Sequence, residues 1–289
     1  MLSIIIPAYN EEKIIAKVVS AIKGNYPQAE ILVIDDGSTD KTASAAKSAG
    51  AIVIRHPQNR GNGAAIKTGI RNATKDLLLM IDADGQHTPG EIHKLLEYLP
   101  EYDMVVGARD RDSSGYFHRN LANWFYNKLA SYLADYEILD LTSGFRAAKK
   151  NVIKKFVYLF PNGFSYPTTS TLSLLKSGYS VKYVPITAKK RVGKSKLNLL
   201  RDGVGFILIM LKIVMMYSPF KVFAPVGVAF CAVGFGYYLY TFIRWQQFRN
   251  MSVLMISMGA LIFMLGLISE QIAQLRMDKS ESDIILNDK

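Results

Sequence analysis

Cysteine is nearly absent: the 289 residues hold one, Cys231, so no intramolecular disulfide can form. Histidine is scarce too. His56, His87, His93 and His118 show neither a convergent acid–base spacing nor, with cysteine lacking, a zinc-ligand spacing. Acidic residues are outnumbered, with 24 Asp and Glu against 35 Lys and Arg and a formal net charge of +11. No nucleic-acid-binding motif accompanies that excess. It gathers instead at Lys189, Lys190, Arg191, Lys194, Lys196, Arg201, Lys212 and Lys221, just ahead of a long apolar run. Anionic headgroups and a phosphorylated lipid are therefore the expected partners, and nucleic acid is not. Charge is missing altogether from residues 222–243 and 251–269. Each run is long enough to cross a bilayer as a helix, which takes roughly 17 to 25 apolar residues.

These absences divide the chain. Residues 1–200 mix charged and apolar residues as a globular domain does, 201–221 form a juxtamembrane amphipathic segment, 222–243 and 251–269 a transmembrane hairpin, and 270–289 a tail. Within the juxtamembrane segment, residues 204–217 are apolar apart from Lys212 and suit a helix lying in the membrane interface. Residues 2–6 are too short for the apolar core of a secretory signal and no basic region precedes them, which places the large domain and the tail in the cytoplasm. The basic residues before the first run, with Arg276 and Lys279 after the second, agree with that orientation, while Arg244 and Arg249 in the short connection oppose it. The expected location is the inner cell membrane, multi-pass, with the large domain on the cytoplasmic face. A homo-oligomer packed through its hairpins is expected.

The large domain alternates short β-rich runs with helical periodicity. Residues 2–6 precede a helix with Ile14, Ile15, Val18, Val19 and Ile22 on one face, and runs at 31–34, 51–54 and 77–81 precede helices at 39–48, 61–72 and 89–99. Val105 and Val106 mark a fifth strand. Strands apolar throughout and separated by amphipathic helices predict an α/β fold with a mainly parallel sheet, whose ligands bind beyond the carboxyl ends of the strands. The residues there are Pro7-Ala8-Tyr9-Asn10-Glu11, Asp35-Asp36-Gly37-Ser38, His56 to Gly63, Asp82-Ala83-Asp84-Gly85-Gln86 and Gly107-Ala108-Arg109. Ser38 and Thr39 also suit capping of the next helix. Capping explains at most one of Asp82 and Asp84; together they present carboxylate oxygens to a hard cation, with Gln86 as a neutral third donor. A cation held so lightly takes substrate phosphates as further ligands, and a nucleotide diphosphate leaves well once its charge is neutralised.

Several segments together resemble the family 2 glycosyltransferases of GT-A fold, specifically the polyprenyl-phosphate sugar transferases related to dolichol-phosphate mannose synthase. They are Ile4-Ile5-Ile6-Pro7-Ala8-Tyr9-Asn10-Glu11-Glu12, Val33-Ile34-Asp35-Asp36-Gly37-Ser38-Thr39-Asp40, Asn59-Arg60-Gly61-Asn62-Gly63, Asp82-Ala83-Asp84-Gly85-Gln86-His87, Ser143-Gly144-Phe145-Arg146 and Gly193-Lys194-Ser195-Lys196. The resemblance implies a nucleotide-sugar donor bound by Pro7, Ala8, Tyr9, Glu11, Asp36, Gly63, Asp82, Ala83 and Asp84, with Gly63 letting the backbone lie close to the nucleoside. It implies Mg or Mn on Asp82, Asp84 and Gln86, and an acceptor phosphate gripped by Arg109, Arg119, Lys190, Arg191 and Lys196. The family's arginine three residues before the glycine of Gly-x-Ser-Lys is Lys190 here, with Arg191 one residue later, so which of the two reaches phosphate is open. Asp140 matches an active-site aspartate, which would orient the acceptor or stabilise charge on the sugar.

The expected reaction is an inverting transfer from a UDP-hexose or UDP-N-acetylhexosamine to a polyprenyl (undecaprenyl or dolichyl) phosphate, with GDP-mannose as second donor. Three other readings are weaker. A processive polysaccharide synthase needs Gln-x-x-Arg-Trp, but Thr241 stands where the glutamine before Arg244-Trp245 should be. A nicotinamide site at Gly61-x-Gly63 lacks its third glycine, replaced by Ile66. A non-catalytic membrane scaffold has no need of Asp36, Asp82 and Asp84 together.

Overall fold

The computed structural model describes residues 1–109, 117–163, 165–187 and 199–287; of residues 117–123, 199–204, 206 and 276–287 the backbone alone is described. The chain divides into two compact units, Met1–Phe206 and Ile207–Lys289.

The first unit is built on seven strands: β1 (Leu2–Ala8), β2 (Glu30–Asp35), β3 (Ile52–Arg55), β4 (Leu77–Met80), β5 (Met104–Arg109), β6 (Arg146–Lys149) and β7 (Val181–Ile186). Their order across the sheet is β3-β2-β1-β4-β6-β5-β7. Among the described strands only β6 runs against its neighbours, pairing antiparallel with both β4 and β5. Its arriving end therefore lies on the same edge as the departing ends of the other strands. The helices are α1 (Ile15–Asn25), α2 (Thr42–Ser48), α3 (Asn62–Asn72), α4 (Ile92–Leu96, after a 3-10 turn at Pro89–Glu91), α5 (Phe117–Ala134), α6 (Lys150–Lys154) and α7 (Tyr166–Lys176).

Strand β1 is central and apolar because both of its faces are covered, and Ile4, Ile5 and Ile6 are fully buried. Pro7 is tolerated there for a geometric reason. Ile5 O accepts from Ile81 N on the β4 side and Ala8 O accepts from Asp36 N on the β2 side. Pro7 thus faces β4 where that strand's ladder has already ended, at the Ile5–Met80 pair. Ile15, Val19 and Ile22 of α1 pack with Ile4, Ile6, Val33, Leu79, Val105 and Phe145 in one core. Ser38 and Thr39 do not cap α2, whose first residue is Thr42 and which has no side-chain cap. They are drawn away by the loop after β1: Asn10 N donates to Ser38 Oγ (2.9 Å), Thr39 N donates to Asn10 Oδ1 (2.9 Å), and Glu11 N donates to Thr42 Oγ1 (2.8 Å).

In the second unit α9 (Phe220–Trp245) and α10 (Asn250–Asn287) form a hairpin; α8 (Leu199–Tyr217) spans the boundary between the units. Segments Phe220–Trp245 and Asn250–Leu275 are long and apolar enough to cross a membrane. The two helices meet through small residues. A side chain at Gly227 would press on Gly259 O and Phe263, and one at Gly234 on Met255 and Ile256. Glu270 accepts from Phe220 N (3.1 Å) at the start of α9.

Candidate functional site

Each strand end expected to carry chemistry lies on one edge of the sheet, and so do residues 140–146, which lead into β6. After β4, Asp84 Oδ1 accepts from Gln86 N (3.1 Å), a tight turn that fixes the spacing of the expected ligands Asp82, Asp84 and Gln86. The Asp82 carboxylate lies against the backbone of Gly144, where a Cβ would overlap it. Among the described residues no three His, Cys, Asp or Glu side chains gather to hold a metal. Two carboxylates and one amide oxygen, close in sequence, fit a hard cation that completes its shell with phosphate oxygens and water rather than an all-protein cage.

Beside this turn Arg109 and Asp140 are paired. Arg109 Nε donates to Asp140 Oδ2 (2.8 Å) and Nη2 to Asp140 Oδ1 (3.0 Å), while Nη2 also reaches Thr142 Oγ1 (2.8 Å). Burial would raise the Asp140 carboxyl, but the Arg109 charge and the hydrogen bonds of Arg109 and Thr142 outweigh it and hold the group below the ordinary carboxylate range. Burial likewise opposes the charge on Arg109, and Asp140, Asp82 and Asp84 more than offset this. The charges of three carboxylates therefore act on one guanidinium, which contacts that of Asp140. Arg119 lies in α5, its side chain outside the description, and Lys190, Arg191 and Lys196 lie outside the described residues beyond the end of β7.

At the other end of the edge Asp36 braces a turn. Its Oδ1 accepts from Arg60 N (3.0 Å) and lies 2.7 Å from His56 Nδ1, and its Oδ2 accepts from Gly61 N (2.7 Å). His56 Nε2 in turn lies 2.9 Å from Thr68 Oγ1 on α3. The close approach that Gly63 permits is by residues 161–163: its N–H donates to Gly163 O (3.0 Å), Ala64 N donates to Asn162 O (2.9 Å), and a Cβ on Gly63 would overlap Pro161 O. The open N-terminus of α3 is thus capped by carbonyls from a distant segment. Pro7 and Ala8 end β1, Tyr9 and Glu11 follow in the loop stitched to residues 38–42, and Ala83 is buried between the two aspartates.

Two residues in the site gained no role from sequence spacing. His87 is buried and its ring stacks on Phe145 with centroids 4.8 Å apart and planes 13° from parallel. Burial pushes it down to about 4, so the imidazole is neutral at pH 7. Arg146 is fully buried at the start of β6. It closes the Ser143 to Arg146 segment that carries part of the family resemblance, and nothing in its spacing said what it would contact.

Residues 3–157 match the profile of Glycosyl transferase family 2, and residues 218–275 that of the GtrB C-terminal hairpin. Glycosyltransferase AglJ of Haloferax volcanii is 30% identical over 290 residues, which cover 96% of this chain and 95% of the relative. The UDP-N-acetylglucosamine–dolichyl-phosphate N-acetylglucosaminyltransferase of Methanococcus voltae is 32% identical over 180 residues, 53% of this chain and 71% of its own length. The solved glucosyl-3-phosphoglycerate synthase from Mycobacterium tuberculosis, in complex with Mn2+, UDP and phosphoglyceric acid, shares the fold with a TM-score of 0.63 at 20% identity, covering 74% of this chain and 78% of that one. With a largely parallel seven-stranded sheet, a family profile over most of the first unit and a relative matched along nearly its whole length, the chain belongs to glycosyltransferase family 2, a glycosyltransferase of GT-A fold with an apolar C-terminal hairpin.

Proposed function

We propose that the protein transfers a sugar from a UDP-hexose or UDP-N-acetylhexosamine to a polyprenyl phosphate, with inversion at the anomeric carbon. The observation that carries this reading is the placement of Asp82 and Asp84 beside the Arg109–Asp140 pair, a metal-compatible turn next to a phosphate-compatible cation. The relatives' names and the apolar hairpin support a lipid acceptor. The hairpin would hold the enzyme in the inner cell membrane, with the catalytic unit on the cytoplasmic face where nucleotide sugars are made.

In this reading Pro7, Ala8, Tyr9, Glu11 and Asp36 line the nucleoside end of the cleft, with Gly63 and Ala83 shaping its walls, and Asp82, Asp84 and Gln86 hold Mg or Mn against the diphosphate. When bound, the cation supplies charge neutralisation to the departing nucleoside diphosphate. Arg109 offers its guanidinium to the acceptor phosphate, joined by Arg119, Lys190, Arg191 and Lys196, while Asp140 fixes the plane of that guanidinium. A phosphate monoester with a second pKa of about 6 is already dianionic near neutral pH, so no strong base is required. That agrees with a site whose buried histidine, His87, is neutral and stacked. An acceptor oxygen bonds to the anomeric carbon as the bond from that carbon to the diphosphate breaks, and the electron pair leaves with the nucleotide.

The test is transfer of radiolabel from a panel of nucleotide sugars, GDP-mannose included, to polyprenyl phosphate in vesicles. Label from a UDP sugar is expected in the lipid, abolished by chelation. Label from GDP-mannose alone would overturn the donor class, and no lipid-linked product from any donor would overturn the acceptor.

A further inference from the structure

The segment at residues 143–146 was singled out in the sequence and has no role in the reaction above. It is held from three directions. Ser143 Oγ donates to Gly107 O on β5 (2.6 Å), Tyr166 OH donates to Gly144 O (3.1 Å), and the Arg146 Nη2 and Nε both donate to Ser143 O (2.6 and 3.1 Å). The same guanidinium reaches α7, its Nη1 donating to Pro167 O (3.0 Å), Ser170 Oγ (2.7 Å) and Thr171 Oγ1 (3.2 Å), and its carbon lies 5.8 Å from the centre of the Tyr166 ring. So held, the segment meets the Asp82–His87 turn at two points: the Gly144 backbone lies against the Asp82 carboxylate, and the Phe145 ring stacks on His87.

Every hydrogen-bond acceptor of Arg146 is neutral, although the side chain has no exposure to water. An unpaired buried charge is costly, and a core that needed only volume would hold an aliphatic side chain there. The carboxylates whose fields reach it are Asp140 and Asp82. Its charge acts on both carboxylates, and its hydrogen bonds hold the Ser143 carbonyl next to the Gly144 backbone that meets Asp82.

We infer that Arg146 is a positioning residue: by clamping the Ser143 carbonyl to α7 it fixes Gly144 as the backstop of the Asp82 carboxylate, and so sets the affinity of the Asp82–Gln86 turn for a divalent cation and a nucleoside diphosphate. This rests on the reading of that turn as the donor site. It also predicts which kinetic quantities move most: cation half-saturation and donor KM change with Arg146 by more than acceptor KM does.

The experiment uses the full chain in detergent and measures Mn2+-dependent binding of UDP and of GDP by calorimetry, the Mn2+ half-saturation, and the unfolding midpoint without ligand. Arg146→Gln is expected to raise the Mn2+ half-saturation about tenfold, as loss of supports behind metal ligands does. Arg146→Lys should recover part of that loss, because charge and donors are kept. Tyr166→Phe, which deletes only the hydrogen bond to Gly144 O, should shift half-saturation in the same direction with an unfolding midpoint near that of the wild type, and it keeps the test open should Arg146→Gln not fold. Wild-type half-saturation in Tyr166→Phe, or in a folded Arg146→Gln, overturns the inference. A wild-type chain that binds neither UDP nor GDP with Mn2+ overturns the donor-site reading, and the inference with it.

Discussion

The two aspartates that bracket Ala83 do different work in their surroundings. Asp84 closes its own turn onto Gln86 N, whereas Asp82 rests on the Gly144 backbone. Neither position tolerates a shortened side chain if both oxygens face a cation. Asp84→Ala is expected to lower metal-dependent transfer by about 100-fold or more, as removal of a preorganised charge-stabilising group does; full activity in a vesicle assay would sink the role. The Arg109–Asp140 pair makes a different prediction, one of stability. A carboxyl whose value is lowered on folding stabilises the protein at every pH above its unfolded value, about 3.9, and that stabilisation is lost as pH falls through the folded value. Asp140→Asn should therefore cost about 3 kcal/mol at pH 7, the usual result of leaving one partner of a buried pair alone. The difference from wild type should shrink below about pH 4. Urea unfolding at pH 7 and pH 3 measures both, and an equal difference at the two values would remove the pair as the cause.

Among the elements, α3 shows how far the supports of the site lie from it in the chain. Its N-terminal N–H groups are satisfied by Asn162 O and Gly163 O, and Lys67 on the same helix donates to Phe160 O (3.1 Å) and to Asn162 Oδ1. Gly63→Ala forces these carbonyls apart and is expected to cost about 1 to 3 kcal/mol, as overpacking does. Equilibrium unfolding checks the size, and a stability equal to wild type would show that residues 161–163 yield without cost. The parallel half of the sheet was legible because its strands are apolar on both faces, as in residues 4–6 and 32–34. Strand β6 was not: Arg146-Ala147-Ala148-Lys149 has no β-branched residue, and it is a strand because β4 and β5 each offer it an edge. Helix α7 was equally hidden, since Thr168, Thr169, Ser170, Thr171 and Ser173 are buried hydroxyls where a periodic apolar face would have announced a helix. The positions of Asp36, Asp82 and Asp84 could be read because a strand end is a place in the sequence. The bracing of Asp36 and the burial of Arg146 arise from contacts between residues far apart, which one sequence does not display.

At the scale of the molecule, a unit with its own core is followed by a unit whose long helices are apolar outward as well as toward each other; Val233, Leu261 and Leu275 are exposed. In the proposed reaction donor binding belongs to the first unit alone, while capture of a lipid phosphate gains from confinement to the same surface. A chain ending at Phe206 is expected to keep Mn2+-dependent UDP binding and to lose about 100-fold in transfer to vesicle-borne polyprenyl phosphate, the scale on which tethering raises effective concentration. Undiminished transfer would make the hairpin irrelevant to acceptor capture.

Arg109 and Asp140 stand 31 positions apart in the chain and are bound to each other. Whatever the chain does between them, including α5, it leaves and re-enters through one ionic clasp. Exchanges on the exposed side of α5, at Trp124 or Phe125, should leave that clasp intact, whereas Asn127, which holds Leu139 O and Leu141 N on either side of Asp140, should not be exchangeable without moving it.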